Sequence, residues 1–170
     1  MWFTRWRRSL VAIDTIGQPA TEGVKPMLTK TTAHLIAEAK GRIETLAPAA
    51  VAAELDGGDV LLVDLREAEE LAQHGSISGA IHAPRGMLEF SADPTSAYHR
   101  PEFDPGRRTI LFCASGGRSA LAADVLRLLG YTRVAHLDGG LTAWREAGLT
   151  VERQERARRQ TSEGGRAMGS

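Results

Sequence analysis

The chain has 170 residues, 21 basic and 21 acidic side chains, a formal net charge of zero and one cysteine. That length suits one domain with a substantial core, since about 100–200 residues is the usual domain size. A composition of 42% apolar and 25% charged residues excludes wholesale disorder and collagen-like repeats. A lone cysteine closes no internal disulfide and supplies no multi-cysteine zinc site, which excludes stapled secreted scaffolds and zinc fingers.

Residues 1–30 mix Gly, Pro, Thr and charged residues without a period and are read as a flexible N-terminal arm. Its start, Trp2-Phe3-Thr4-Arg5-Trp6-Arg7-Arg8, has the basic character of an export signal, but Asp14 interrupts the apolar stretch after Ile13. An export signal needs about 7–15 apolar residues, so the protein is read as cytoplasmic, with a weak membrane-surface contact of this segment as the competing reading. No run of about 18 apolar residues, the length of a membrane-spanning helix, occurs anywhere. From Thr31 or Thr32 a threonine-capped helix runs through Leu35, Ile36, Ala39 and Ile43, weakened by Gly41. A second helix starts at Ala47 with Pro48 in its first turn and stops at Asp56-Gly57-Gly58-Asp59.

The period then changes. Val60-Leu61-Leu62-Val63 is a continuous apolar run that suits a strand buried on both faces. A short acidic helix, Glu67 to His74, follows, then a short apolar segment from Ile77 to Ala83 closed by Pro84. Residues 84–107, with four prolines, are expected to form an irregular excursion. Thr109-Ile110-Leu111-Phe112 is the next strand, Ser119 to Leu129 a helix stopped by Gly130, and Val134-Ala135-His136-Leu137 a further strand. After Gly139-Gly140 comes a helix from Leu141 to Ala147 with Trp144 as a core plug. Alternating strands and helices predict an α/β domain over residues 31–151, with a mainly parallel central sheet flanked by helices on both sides. Residues 152–170 are read as a disordered basic tail.

Zero net charge is an average. Between Leu46 and Thr150 nine basic side chains face fourteen acidic ones, while residues 1–45 carry seven against four and residues 151–170 five against three. A folded part that is acidic argues against nucleic acid as a partner. His34, His74, His82, His99 and His136 show no metal-ligand spacing, so neither a metal nor another cofactor is expected. Asp64 and Arg66 are expected to be structural, Arg66 pairing with Glu70 four residues on and Asp64 accepting loop N–H bonds. Arg85 and Met87 follow a strand on the side where a crevice would lie and are candidate pocket-rim residues.

Cys113 ends the strand Thr109 to Phe112 and opens the loop Ala114-Ser115-Gly116-Gly117-Arg118, with Ser119 expected as the cap of the next helix. In a parallel sheet the ligand crevice lies beyond the carboxyl ends of the strands, and a loop that runs into a helix N-terminus presents free N–H groups there. Gly116 and Gly117 let the backbone curl so that those donors converge, a cradle suited to an anion. A thiol in such a loop, beside Arg118 and a helix dipole, is expected to ionise below the value of about 8.5 for free cysteine and act as a nucleophile. The bland alternative is a small buried hydrophobe that closes a core strand.

The block Cys113-Ala114-Ser115-Gly116-Gly117-Arg118-Ser119 resembles the active-site loop of rhodanese-like sulfurtransferases, a Cys-x-x-Gly-x-Arg-Ser pattern. Three further blocks agree in order and spacing: Val63-Asp64-Leu65-Arg66-Glu67, His74-Gly75-Ser76-Ile77-Ser78-Gly79-Ala80-Ile81, and Leu137-Asp138-Gly139-Gly140 with Ala143-Trp144 and Gly148. The stretch from Ala83 to Phe90 is similar to a bacterial single-domain branch of the family. The resemblance, which spans about Ile43 to Val151, implies a rhodanese-like fold and a thiosulfate sulfurtransferase-like enzyme. It implies Cys113 as the catalytic nucleophile, with Ala114, Ser115, Gly116, Gly117, Arg118 and Ser119 binding the substrate. A sulfane sulfur would pass from a small donor anion, thiosulfate or a persulfide, through a Cys113 persulfide to cyanide or a thiol, a protein thiol included. Two departures stand out: Ser78 replaces a proline usual before Gly-Ala, and Gly117 stands where a larger side chain is common, which implies a more open pocket. Rival readings are a non-catalytic or redox-sensing binding module, which in this family has often lost the cysteine, and a cysteine phosphatase. The phosphatases carry five residues between Cys and Arg; here there are four, Ala114 to Gly117. The nucleophile expectation predicts iodoacetamide alkylation of Cys113 that saturates at lower pH than that of free cysteine; a profile like that of free cysteine would contradict it.

Overall fold

The computed structural model describes residues 28–153. The arm read over residues 1–30 and the tail read over residues 152–170 lie outside the described residues except at their inner ends. In chain order the elements are α1 (Thr32–Lys40), β1 (Glu44–Leu46), α2 (Pro48–Asp56), β2 (Val60–Asp64), α3 (Ala68–His74), β3 (Ile81–His82), a 3-10 turn (Arg85–Met87), α4 (Leu88–Ala92), β4 (Arg108–Phe112), α5 (Gly117–Leu128), β5 (Val134–Leu137) and α6 (Gly140–Glu146). The five strands form one sheet in the order β1-β5-β4-β2-β3, with every pairing parallel.

Local chemistry explains most of the boundaries. Thr31 caps α1 by accepting from the His34 N–H at 3.3 Å, and Pro48 opens α2 at a position where its missing N–H costs nothing. Glu67 and Glu70 form a reciprocal capping box at the start of α3. Side chains alternate across β4: Ile110 and Phe112 enter one core, with Leu62, Val51, Leu141 and Trp144. Leu111 and Cys113 enter the other, with Val63, Leu88, Ala123 and Leu126. The sheet is therefore covered by α2 and α6 on one face and by α4 and α5 on the other, with α1 packed against α5.

Several expectations need correction. The edge strand β1 falls in the gap between the two helices read from the sequence, because α1 already ends at Lys40 and the chain turns through Gly41 into the sheet. Only Ile81 and His82 of the segment from Ile77 to Ala83 pair as a strand. The excursion 84–107 contains the 3-10 turn and α4, whose Leu88 and Ala92 are buried. Glu152, the first residue of the expected tail, is tied to Ser76 by two backbone hydrogen bonds of 2.8 Å. Trp144 does plug the core, its indole N–H donating to the Thr150 carbonyl at 2.9 Å.

Arg66 does not pair with the Glu70 carboxylate. It is wholly buried and folds back on Asp64, with Nε donating to Oδ1 at 2.9 Å and Nη2 to Oδ2 at 2.6 Å. Nη2 also reaches the Gly75 carbonyl at 2.6 Å, and the guanidinium lies 5.9 Å from the Phe112 ring centre. Asp64 accepts in addition from the Arg66 N–H at 3.1 Å and the Ser76 hydroxyl at 2.6 Å, the loop contact expected of it. Two residues at the end of β2 thus clamp the turn after α3 to the sheet. Removing one member leaves the other as an uncompensated buried charge, so Arg66→Met is expected to lose about 3–5 kcal/mol. The Asp64→Asn/Arg66→Met double variant should recover part of that loss in urea melts; a double variant less stable than the single one would contradict the clamp.

Candidate active site

Cys113 is 1% exposed and follows β4 at the carboxyl edge of the sheet. The backbone then turns through Gly116, whose φ of +92° leads directly into α5. A Cβ at Gly116 would stand 3.0 Å from the Gly139 nitrogen, so glycine is required for conformation and for space. The Gly116 N–H donates to the Cys113 sulfur at 3.2 Å. The next N–H groups open α5, where no carbonyl lies one turn back in the helix to accept them.

The carbonyls of the loop are held from the other side. Leu141 N–H donates to the Cys113 carbonyl at 2.8 Å, and Thr142 donates to the Ala114 carbonyl through its N–H at 3.1 Å and its hydroxyl at 3.0 Å. Gly140, at a φ of +58°, is what allows this approach, because a side chain there would overlap the Cys113 carbonyl oxygen. The Cys113 and Ala114 carbonyls are thus turned to α6 and the Gly116 N–H to the sulfur, a contact of the kind that stabilises negative charge there.

Arg118 points back toward α3 and forms a two-pronged pair with Glu70, at 2.7 and 2.8 Å. That contact holds the Glu70 carboxyl well down, to about 2, against the opposing effect of burial. The Arg118 guanidinium is raised above its usual range by Glu70, with smaller contributions from the Cys113 sulfur. Arg118 is thus a cation held by Glu70 beside the thiol. Ala114 is half-buried and Ser115 exposed on the loop. Beside Ala114 a cleft of about 200 Å³ is lined by Arg66, Glu70, His74, Thr142 and Arg145, among others.

Two loop residues behave differently from expectation. The space over Gly117 is filled, because the Cδ1 of Ile36 from α1 lies 3.0 Å from where its Cβ would be; the missing side chain is replaced by a neighbouring helix. Ser119 is not the cap of α5, a position held by Gly116. Its hydroxyl donates to the Gly116 carbonyl at 3.0 Å and lies 3.8 Å from the Cys113 sulfur and 3.3 Å from His136 Nδ1. His136 is fully buried, and burial, aided by Lys40 and opposed by Asp138, pushes its pKa down to about 4, so the imidazole is neutral. Its part in the site was not legible beforehand, because nothing in the chain links residue 136 to residue 113.

The remaining candidates stand apart. Arg85 pairs with Glu89 at 2.8 Å and Met87 is exposed; neither lines the cleft beside Ala114. His82 and His99 contact the backbone carbonyls of Arg66 and Ser91. Among the described residues no group of three or more His, Cys, Asp or Glu could hold a metal ion, and no helix is long and apolar enough to cross a membrane.

Known proteins resemble the chain in sequence and in fold. A sulfurtransferase of Allochromatium vinosum is 36% identical over 96 residues, which cover 56% of this chain and 81% of the relative. A solved protein of unknown function from Rhodopseudomonas palustris, described as a possible tyrosine phosphatase, superposes with a TM-score of 0.72 at 39% identity, covering 76% of this chain and all of that one. The polysulfide-sulfur transferase of Wolinella succinogenes superposes with a TM-score of 0.57 at 28% identity, over 69% of this chain and 83% of that one. The family model for the rhodanese-like domain matches residues 47–147, a span that takes in the Asp64–Arg66 clamp, the Cys113 loop and its α6 buttress, and the chain belongs to the rhodanese-like domain family.

Proposed function

We propose that the protein is a sulfurtransferase that carries a sulfane sulfur on Cys113. The observation that supports this best is the Cys113 sulfur at the mouth of a loop whose Gly116 N–H donates to it at 3.2 Å, with Arg118 as the adjoining cation. With thiosulfate as donor, the Cys113 thiolate attacks the outer sulfur and forms a new S–S bond. The original S–S bond breaks, and sulfite leaves with its electron pair. A thiolate or cyanide then attacks the outer sulfur of the Cys113 persulfide, and Cys113 departs as a thiolate. The transfer is thereby split into two displacements at sulfur. N–H groups at the start of α5 stabilise the charged persulfide in the first product and the departing thiolate in the second. The loop from Ala114 to Ser119 contributes backbone rather than side chains to this cradle, and Arg118 attracts the anionic donor. A thiol kept free needs a reducing compartment, and the cytoplasm is the proposed setting.

The Rhodopseudomonas palustris neighbour favours weighing a second reading, hydrolysis of a phosphate ester. Four residues between Cys113 and Arg118 make a loop one residue shorter than the phosphatase pattern, and the curl through Gly116 brings its N–H directly onto the sulfur. A loop of that size fits a single sulfur atom and crowds a tetrahedral phosphate.

Intact mass after incubation with thiosulfate should show the gain of one sulfur atom, absent in Cys113→Ser; no gain with any sulfane donor would instead support a binding module. Arg118→Ala should raise the KM for thiosulfate about tenfold or more, the scale of one lost charge-assisted hydrogen bond. Aryl phosphate hydrolysis above the background of Cys113→Ser would favour the phosphatase reading.

A further inference from the structure

Thr45, Ser119 and His136 come from three different elements, yet they stand in one row behind Cys113. Thr45 and His136 are register partners across β1 and β5, and Ser119 projects from the first turn of α5. Ser119 Oγ is 3.8 Å from Cys113 Sγ and 3.3 Å from His136 Nδ1, and His136 Nε2 is 3.2 Å from Thr45 Oγ1. Cys113, Ser119 and His136 are buried, whereas Thr45 is exposed on the edge strand. The row therefore leads from a buried thiol to solvent at the side of the sheet, away from the Ala114 cleft.

We infer that Ser119, His136 and Thr45 form a proton path that carries the Cys113 thiol proton to water. The inference rests on the reading of Cys113 as a nucleophile that ionises. Before transfer, Cys113 S–H donates to Ser119 Oγ, Ser119 O–H to His136 Nδ1, His136 Nε2–H to Thr45 Oγ1, and Thr45 O–H to water. Each proton then moves one place along the row, and one proton leaves to water. Cys113 becomes a thiolate that accepts from Ser119 O–H, His136 Nδ1–H donates to Ser119 Oγ, and Thr45 O–H donates to His136 Nε2. Four bonds to hydrogen form and four break, with no change of oxidation state. His136 exchanges one neutral tautomer for the other, so a buried imidazole that resists a second proton still conducts one.

The surroundings permit both states. When the Ser119 hydroxyl turns from the Gly116 carbonyl, that oxygen keeps the Ala120 N–H at 3.0 Å. The charged groups acting on His136 are Lys40 at the end of α1 and Asp138 after β5, which pair with each other at 2.5 Å. Glu44, beside Thr45 on β1, is held by Arg108 at 2.5 Å. Arg118 is the cation next to Cys113, and Glu70 of α3 holds it.

The path makes the tautomer of His136 report the ionisation of Cys113. NMR of isotopically labelled ring nitrogens in the full chain should show the proton on Nε2 below the Cys113 titration and on Nδ1 above it. The step should be absent from Cys113→Ser. In Ser119→Ala the tautomer should stop following the thiol, and alkylation by iodoacetamide at neutral pH should slow about tenfold as the thiolate loses its hydroxyl donor. One tautomer throughout the wild-type titration, or the same step in Cys113→Ser, would overturn the path. No sulfur donor enters these measurements, so the path can fail while Cys113 still takes up sulfur, and a domain that takes up none can still show it.

Discussion

A peptide loop can turn its N–H groups toward an anion only if its carbonyls are satisfied elsewhere, and in this protein α6 meets that condition. The first N–H groups of α6 take the Cys113 and Ala114 carbonyls from behind, and Gly140 allows the two backbones to come close enough. The curl through Gly116 depends on this, as does the N–H that reaches the sulfur. A helix start thus serves twice: Gly116, the cap of α5, gives its N–H to the thiol, and α6 gives its own to the loop that presents it.

The sheet sets the positions of both helices. Parallel pairing of β2, β4 and β5 brings their carboxyl ends to one edge, where the turns before α3, α5 and α6 converge. The buried Asp64–Arg66 pair holds the turn after α3 at that edge through the Gly75 carbonyl and the Ser76 hydroxyl. This places Glu70 within reach of Arg118. The cation beside the thiol is therefore oriented by a chain of polar contacts that starts at the buried Asp64–Arg66 pair, where leaving a contact unmade would be costly, and ends at the partly exposed Arg118–Glu70 pair.

Alternation across the strands links the site to the core behind it. Cys113 and His136 project to the same face of the sheet as the hydrophobic residues under α5, and Ser119 bridges them from above. Ser119 and His136 lie inside an otherwise apolar layer, and each has a partner in the polar row. Ile36, over Gly117, covers the loop on this side, so α1 belongs to the architecture of the site although it lies outside the span matched by the family.

Much of this was legible in the order of residues. The apolar runs at Val60 and Thr109 and the Gly-Arg-Ser ending of the Cys113 loop depend on periods and neighbours, and both carry local physics: strands buried on two faces, and a helix start that favours an anion. Contacts between distant parts of the chain were not legible in this way. Glu44–Leu46 is too short to show a period and is a strand only because β5 offers it an edge. Arg66 has Glu70 in reach along a helix but chooses Asp64, because burial rewards the closer two-pronged partner. Glu70 is then left for Arg118. The sequence by itself determined that a thiol would stand on a glycine-rich turn at the end of a buried strand, since that rests on adjacency. Tertiary structure alone decided which carboxylate meets Arg118, what fills the space over Gly117 and that His136 lies behind the thiol, since those depend on strand register and on helices packing across the sheet.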